Sequence, residues 1–161
     1  MDKINSFRGE YFFLSNFYEA PIQYDGLVYR NNEAAFQAQK CENKDDRKRF
    51  TAMNPSEAKR AGRKVKLRPY WDEIKYDIMF RLVFNKFLQN ADLADKLVAT
   101  GDVPLEEGND WGDKIWGTVN GVGENHLGKA LMETRRLLKD NDLVKTYVNE
   151  WRKEFGCEYI F

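Results

Sequence analysis

Cysteine and histidine are scarce in this sequence, with two cysteines, Cys41 and Cys157, and a single histidine, His126. Neither cysteine belongs to a Cys-x-x-Cys pair or a Cys/His cluster, so no metal site is expected. No apolar run reaches the roughly 18–20 residues that a membrane-spanning helix needs. These absences, with an N-terminus that lacks the apolar core of a signal peptide, predict a reduced cytoplasmic location and no membrane partner.

An excess of one charge sign is also lacking, because 26 Lys and Arg balance 26 Asp and Glu. No global field therefore recruits nucleic acid. The distribution is nevertheless uneven: residues 40–68 contain 11 basic and 4 acidic side chains (net +7), and residues 69–113 contain 4 and 10 (net −6). The basic block predicts either solvated helix faces or a surface that meets phosphates.

Hydrophobic periodicity and turn signals predict an α+β fold, mainly helical with a small β-sheet, in one domain over residues 1–161. Residues 7–30 look extended, with Asp25-Gly26 as a hairpin turn and a strand at Phe7–Gly9. Another short strand is expected at Val103–Leu105.

Seven helices are predicted from apolar spacing and end signals. Asn31 or Asn32 is expected to cap the first, and Asn125 the sixth. Their approximate bounds are Asn32 to Cys41, Asp45 to Met53, Pro55 to Gly62, Asp72 to Gln89, Leu93 to Thr100, His126 to Leu138 and Asp142 to Phe155.

The segment from Glu107 to Gly128 is unusual because glycine occupies six of its 22 positions. Each glycine inside a regular element costs about 0.5–1 kcal/mol relative to alanine, whereas a glycine loop lets the backbone approach a ligand. Glu107 and Asp113 are candidate proton-transfer groups, and Trp111 and Trp116 are candidate stacking surfaces. The alternatives are that the acids only bind loop amides and that the tryptophans only fill the core.

Two further patterns suggest a binding site. Glu33, Gln37 and Lys40 share one face of the first predicted helix, which indicates either a solvated stripe or a pocket wall with a lysine nucleophile. The residues from Gly121 to Asn125 precede a helix, where free amides would suit an anion. An ordinary capping loop has the same composition, and the segment matches neither a P-loop nor a G-x-G-x-x-G motif.

The sequence contains the following motifs in order: Phe7-x-Gly9, Phe13-Leu14-Ser15-Asn16-Phe17, Glu33-x-x-Phe36-Gln37-x-x-Lys40, Glu107-Gly108-Asn109, Trp111-Gly112-Asp113, Trp116-Gly117 and Gly123-x-Asn125-x-Leu127-Gly128-x-x-Leu131-Met132-x-x-Arg135. Together they resemble the NADAR family, also called YbiA-like, over residues 7–137. The resemblance implies a compact, mostly helical α+β fold and N-glycosidase activity on ribosyl compounds, with neither metal nor cofactor. It implies two substrate groups: phosphorylated pyrimidine intermediates of riboflavin biosynthesis, and ADP-ribose attached to guanine in nucleic acid or nucleotides.

The resemblance also implies residue roles. Lys40 would attack the anomeric carbon of the ribose and form a Schiff base, and Glu33 would orient the ribose or shuttle protons. Glu107 and Asp113 would be the acids of the loop. The expected substrate contacts are Phe13, Asn16, Phe36, Gln37, Asn109, Trp111, Trp116, Gly123 and Asn125. One departure from the family pattern is the Asn-Asn-Glu-Ala-Ala run around Glu33, which would alter substrate fit but leaves Glu33 and Lys40 in place.

The main alternative to an enzyme is a non-catalytic module that binds ADP-ribose or a nucleotide in the same pocket. A nucleophile paired with acids argues against it, because a binding module needs neither.

Overall fold

The computed structural model describes residues 2–140 and, beyond them, only positions 142, 144, 146, 149, 150 and 153. The helix predicted from Asp142 to Phe155 therefore lies largely outside the described residues. The described part confirms a mainly helical α+β fold with a two-stranded antiparallel sheet. Its elements are β1 (Glu19–Tyr24), β2 (Leu27–Asn31), α1 (Asn32–Ala38), α2 (Lys44–Lys48), α3 (Pro55–Gly62), α4 (Trp71–Gln89), α5 (Ala91–Ala99) and α6 (His126–Lys139), with 3-10 helices at Gly9–Leu14 and Arg49–Ala52.

The predicted hairpin forms with its turn at Asp25-Gly26, where both residues have positive φ, 49° and 79°. Such a turn matches the natural twist of the two strands. Ile22 pairs with Tyr29, and both side chains are buried against the helices. The α4 helix packs against β1 and completes its backbone hydrogen bonding, because the Gln89 amide both accepts from and donates to the backbone of Gln23.

Two predicted strands are wrong. The residues after Phe7 turn into the 3-10 helix Gly9–Leu14, which begins at a left-handed glycine (φ 59°) that a strand cannot contain. Residues 103–105 form only one isolated parallel bridge, between Ile4 and Leu105. Pro104 has no N–H to extend a ladder, although its carbonyl accepts from Ile4 N at 2.9 Å.

Of the two helix caps predicted from the sequence, that of Asn31 forms and that of Asn125 does not, and α3 begins with a capping box that was not predicted. Asn31 caps α1 by accepting from Ala34 N at 2.7 Å, and Asn54 with Glu57 forms a capping box on α3. Asn125 does precede α6, but it is left-handed (φ 53°) and its side chain does not cap the helix. That side chain accepts from Glu107 N and donates to Leu105 O instead, so it anchors the loop before the helix.

The short helix α1 lies at the centre of the fold, with all of its residues buried between α3, α4 and the hairpin. Its alanines permit close packing. At Gly62 of α3 a Cβ atom would overlap Oε1 of Gln37, so these two helices meet with no room for a larger side chain. The solvated-stripe alternative is therefore wrong for Glu33 and Gln37, which α1 holds inside the protein.

Candidate active site

A cleft of about 520 Å³ opens between α1, α3, the first turns of α4 and the loop that follows residue 106. Its volume is in the range of small-molecule sites, roughly 300–1,000 Å³. The structure brings nine of the sequence-predicted site residues to its wall: Asn16, Glu33, Phe36, Gln37, Lys40, Glu107, Trp111, Asp113 and Trp116.

Glu33 is a buried carboxyl group, 8% exposed, on the cleft-facing side of α1. Burial raises its pKa, while a hydrogen bond from Gln37 Nε2 (2.8 Å) and the charges of Lys59 and Lys40 oppose the shift. Its backbone N–H donates to Asn16 O at 3.0 Å. Glu33 is thus fixed at both its side chain and its main chain.

Lys40 is half-buried at the end of the turn that follows α1, and it lines the cleft. Burial lowers its pKa, Glu33 opposes that change, and the positive charges of Arg63 and Lys75 add to it. Within the described residues its ammonium group has no ion pair or hydrogen bond. A lowered pKa increases the fraction of lysine in the neutral amine form, which is the form that nucleophilic attack requires.

Glu107 enters the cleft from the loop, and its pKa is raised to about 8. Burial is the main cause, followed by the negative charges of Asp113 and Glu33. The backbone N–H of Glu107 donates a hydrogen bond to Asn125 Oδ1 at 3.0 Å. Glu107 is therefore a positioned carboxylic acid that retains its proton at neutral pH, as a general acid must.

Asp113 also lines the cleft, but much of its hydrogen bonding goes to the loop itself. Its Oδ1 accepts from Ile115 N at 3.0 Å and Trp116 N at 2.9 Å. Asn109 closes the same turn by accepting from Asp113 N and donating to Asp113 O. Asp113 therefore shapes the loop, and its charge favours the protonated form of Glu107.

The structure leaves four of the predicted contacts outside the cleft wall. Phe13 packs edge-on against Phe87 in the core, with ring centroids 6.5 Å apart. Asn109 and Asn125 bond to the loop backbone as described above. At Gly123 a Cβ atom would overlap the carbonyl oxygen of Gly117, so this position allows two backbone segments to meet.

The anion site expected at the start of α6 is wrong for a geometric reason. The backbone N–H groups of residues 124–127 donate to carbonyl oxygens of residues 114–117, at 2.7–3.2 Å. These amides have partners within the protein and are not available to a phosphate. The glycine-rich turn folds back on the preceding loop and holds it in place.

Aromatic side chains form the apolar wall of the cleft. The Phe36 ring lies 5.2 Å from the rings of both Trp71 and Trp116, measured between centroids. Trp111 differs from these because it is 53% exposed, with Lys59 Nζ 5.5 Å from its ring centroid. Trp116 thus packs into the wall, whereas Trp111 has a face available for a ligand.

Sequence reasoning missed several cationic residues of the site. Lys59, Arg63 and Lys75 line the cleft. Lys59 lies on α3 and Arg63 is the residue that follows it, a four-residue spacing that could have indicated a shared face. Lys86 was missed as well: it is buried under the loop that bears Asn16, and no local sequence signal marks it.

Lys86 Nζ donates to Phe13 O at 2.7 Å and to Ser15 O at 2.9 Å. Burial lowers its pKa to about 7, while the two carbonyl oxygens favour the ammonium form and oppose that shift.

The described residues contain no helix long and apolar enough to span a membrane. They also contain no group of three or more His, Cys, Asp or Glu side chains placed to hold a metal ion.

Comparison with known proteins identifies the family. The family model of the NADAR domain matches residues 5–139. A riboflavin biosynthesis protein of Vibrio vulnificus is 36% identical over 133 residues, which are 80% of this chain but 36% of that protein. N-glycosidase YbiA of Shigella flexneri is 38% identical over 128 residues, 77% of this chain and 79% of YbiA.

The NMR structure of Escherichia coli YbiA shares the fold, with a TM-score of 0.78 at 35% identity over 89% of each chain. The chain therefore belongs to the NADAR family. It is an enzyme of the N-glycosidase class, a hydrolase acting on N-glycosyl bonds.

Proposed function

We propose that the cleft hydrolyses the C–N bond between a ribose and a base, with Lys40 as the nucleophile and Glu107 as the general acid. The observation that carries this proposal is the presence in one cleft of an amine with no hydrogen bond or ion pair among the described residues and of a carboxyl group whose pKa is raised to about 8. A glycosidic bond breaks most easily when the leaving base is protonated while the anomeric carbon is attacked.

The reaction divides into two steps. The Lys40 amine bonds to the anomeric carbon as the C–N bond breaks, and the electron pair leaves with the base, which takes the proton of Glu107. The new ammonium group then gives up a proton through the Glu107 carboxylate to the ring oxygen, and the sugar opens to an imine on Lys40. Water adds to the carbon of the protonated imine and gives a proton to the Glu107 carboxylate, and collapse of the neutral adduct returns the free amine and the sugar aldehyde.

Glu33 and Asp113 have supporting roles in this mechanism. The Glu33 carboxyl, which accepts a hydrogen bond from Gln37, would accept another from a ribose hydroxyl and stabilise positive charge at the anomeric carbon. Asp113 keeps the neighbouring Glu107 protonated by repulsion between like charges. Trp111, with one face open to solvent, would stack on the leaving base.

The substrate belongs to one of two groups. The names of the Vibrio protein and of a maize relative, a chloroplastic riboflavin biosynthesis protein that is 34% identical over 91 residues, support phosphorylated pyrimidine intermediates of riboflavin biosynthesis. ADP-ribosylated guanine, in a nucleotide or a nucleic acid, is the other group. The basic block of residues 40–68 favours it, because contact with a strand needs cations near the cleft. A cytoplasmic location fits both groups.

Borohydride trapping tests the nucleophile. The purified protein is incubated with a phosphorylated ribosylaminopyrimidine, or with an oligonucleotide bearing ADP-ribosylated guanine, with and without borohydride. We expect free base in both tubes and, with borohydride, a reduced adduct on the peptide containing Lys40. Base release without an adduct would contradict the Schiff base. Tight ADP-ribose binding with no release would favour the non-catalytic binding module.

A further inference from the structure

Three buried side chains form a row of hydrogen bonds at the wall of the cleft. Asn32 Nδ2 donates to Asn16 Oδ1 at 3.1 Å, and Asn16 Nδ2 donates to Met79 Sδ at 3.5 Å. Asn16 and Met79 line the cleft. Asn32 lies behind them, 1% exposed, at the first position of α1 and next to Glu33. Asn32 is therefore connected to the cleft through Asn16.

The thioether of Met79 determines which way the two amides point. A thioether accepts a hydrogen bond but cannot donate one, so the Asn16 atom beside it must be the nitrogen. Asn16 Oδ1 then faces Asn32, which must donate from its own nitrogen. The Asn32 oxygen is left buried, and no described residue donates to it. A buried polar atom without a partner lowers stability, so its presence in a folded protein needs a reason.

The main chain of Asn16 is fixed independently of its side chain. Its carbonyl oxygen accepts from Glu33 N at 3.0 Å, and Lys86 binds two carbonyl oxygens of the segment that leads to it. Only the direction of the Asn16 side-chain amide remains to be set. The hydrogen bonds with Asn32 and Met79 set that direction.

The Asn16 amide retains one donor and one acceptor for a ligand. A side-chain amide has two N–H groups and two lone pairs on its oxygen, and the described residues occupy one of each. A donor beside an acceptor matches two neighbouring hydroxyl groups, each of which can donate and accept. Glu33 lines the cleft beside Asn16, since its backbone N–H binds the Asn16 carbonyl. This part of the wall therefore suits a sugar with adjacent hydroxyl groups.

We propose that Asn32 is a positioning residue for sugar recognition, which orients the Asn16 amide to bind the two cis-hydroxyl groups of the ribose. This role rests on the proposed function and adds the groups that the cleft recognises on the sugar. An apolar side chain of the same shape would avoid the unpaired oxygen but could not orient Asn16. Asn32 belongs to the Asn-Asn-Glu-Ala-Ala run that departs from the family pattern, so this departure acquires a specific effect on substrate fit.

Calorimetry with two sugars tests this role without requiring turnover. Ribose 5-phosphate and 2-deoxyribose 5-phosphate, which differ by one hydroxyl group, are titrated into the parent, Asn32→Leu and Asn85→Leu. We expect the parent to bind the ribosyl compound about tenfold more tightly than the deoxyribosyl compound. Asn32→Leu should lose most of that preference, because it binds the ribosyl compound more weakly. Equal affinity of the parent for the two sugars would overturn the role.

Asn85 is the matched control for Asn32. It is 4% exposed, its oxygen also lacks a donor among the described residues, and its Nδ2 donates to Arg81 O within α4. Asn85→Leu should therefore keep the preference of the parent. An equal loss of preference in Asn32→Leu and Asn85→Leu would indicate a general effect on the fold and contradict a specific role for Asn32.

A double-mutant cycle determines whether Asn32 acts through Asn16. Asn16→Ala should abolish the preference for the ribosyl compound, and the addition of Asn32→Leu should then cause no further change in affinity. A further loss in the double variant would contradict action through Asn16.

Asn32→Asp provides a conservative variant with a pH dependence of its own. A protonated carboxyl group can donate to Asn16 Oδ1 as Asn32 does, whereas a carboxylate cannot. Burial raises the pKa of a carboxyl group, so the protonated form is favoured at this position. The preference for the ribosyl compound should therefore be retained at acid pH in Asn32→Asp. Loss of the preference at every pH at which the parent shows it would contradict the role.

Turnover separates this role from the catalytic proposal. With a phosphorylated ribosylaminopyrimidine, Asn32→Leu should raise KM about tenfold with a smaller change in kcat, and borohydride should still trap an adduct on Lys40. If the parent prefers the ribosyl sugar but releases no base, the proposed reaction fails and the role of Asn32 stands. If base is released and Asn32→Leu matches the parent in affinity and KM, the reaction stands and the role of Asn32 fails.

Discussion

Two lysines in this protein, Lys40 and Lys86, both have a lowered pKa but differ in their surroundings and in their hydrogen bonding. Burial lowers the pKa of both. Lys86 is enclosed in the core, and two carbonyl oxygens accept its hydrogen bonds. Lys40 reaches an open cleft, and no group in the described part of the chain binds its ammonium.

The difference shows that a lowered lysine pKa does not by itself identify a nucleophile. Both lysines hold their protons less tightly, yet only Lys40 combines a free amine with space for a substrate and a nearby acid. Lys86 instead fixes the segment from Phe13 to Asn16, whose last carbonyl accepts from the backbone of Glu33. We therefore expect Lys40 to react with the substrate and Lys86 to support the site.

The largest expected effect is the loss of Lys40. Lys40→Gln should reduce turnover at least about a thousandfold, because the covalent step is removed, and leave the thermal midpoint close to that of the parent. Steady-state rates and thermal unfolding measure the two quantities, with exposed Lys44→Gln as the matched control. More than about a tenth of the parent rate in Lys40→Gln would contradict a Lys40 nucleophile.

Removing Glu107, the proposed general acid, should have the next largest effect. Glu107→Gln should lower kcat/KM about 100-fold or more, because a glutamine has no proton to give to the leaving base. In the parent, kcat/KM should fall as the pH rises through about 8, where Glu107 loses its proton. It should also fall as the pH drops through the lowered pKa of Lys40, where the amine becomes protonated. An alkaline limb that persists unchanged in Glu107→Gln would assign the general acid to another group.

A substitution of Lys86 should affect stability more than chemistry. Lys86→Met should lower the free energy of unfolding by about 1–3 kcal/mol, because two buried carbonyls lose their donor. Turnover should fall only several-fold, and borohydride should still trap an adduct on Lys40. Denaturant unfolding and mass spectrometry measure these outcomes. Loss of the adduct in a folded Lys86→Met protein would mean that the roles of the two lysines are misassigned.

The pH dependence of that stability has a definite sign. The folded-state pKa of Lys86 is depressed to about 7 from 10.5, so the cost of burying its charge is full below pH 7. Between pH 7 and 10.5 the cost decreases, because the unfolded chain binds more protons than the folded protein does. Above pH 10.5 the cost vanishes, because Lys86 is neutral in both states. The stability of the parent relative to Lys86→Met should therefore rise with pH over this interval. A flat difference would indicate that the carbonyl oxygens restore an ordinary pKa.

The smallest effect is expected at a third lysine of the site. Lys59 lowers the pKa of Glu107 and lies over the ring of Trp111. Lys59→Gln should move the alkaline limb of kcat/KM upward by less than about one pH unit and change the rate less than about tenfold. A pH profile of the variant beside the parent measures both. A downward shift would show that Lys59 does not act on Glu107 through its charge.

Local sequence signals predicted most of the fold and the centre of the candidate site. The hairpin turn at Asp25-Gly26 and the cap at Asn31 depend on neighbouring residues, and both form as expected. The spacing of Glu33 and Gln37 depends only on helical geometry, whereas Lys40 lies in the turn after α1 and still lines the same cleft. Burial of α1 on all sides was not predicted, because it depends on Gly62 meeting Gln37 from another helix.

Features that depend on distant residues could not be predicted. Lys86 bonds to a carbonyl 73 positions earlier in the chain, and no pattern around Lys86 indicates that contact. Asn125 matches a cap in sequence, yet its side chain bonds to Leu105 and Glu107. In sequence, the backbone amides that follow Gly123 resemble an anion site, but in the structure they donate to carbonyl oxygens of the preceding loop.

The crossing of the loop at Gly117 and Gly123 limits how this enzyme can change under selection. A Cβ atom at Gly123 would overlap Gly117 O, and one at Gly117 would overlap Glu107 O, so a side chain at either position would displace the loop that carries Glu107, the proposed general acid. Trp111, half-exposed at the mouth of the cleft, has no such constraint. In a mutant library selected for activity on new substrates, substitutions of Trp111 should therefore survive, whereas nearly all substitutions of Gly117 and Gly123 should be lost. New specificity would then arise at the entrance of the cleft.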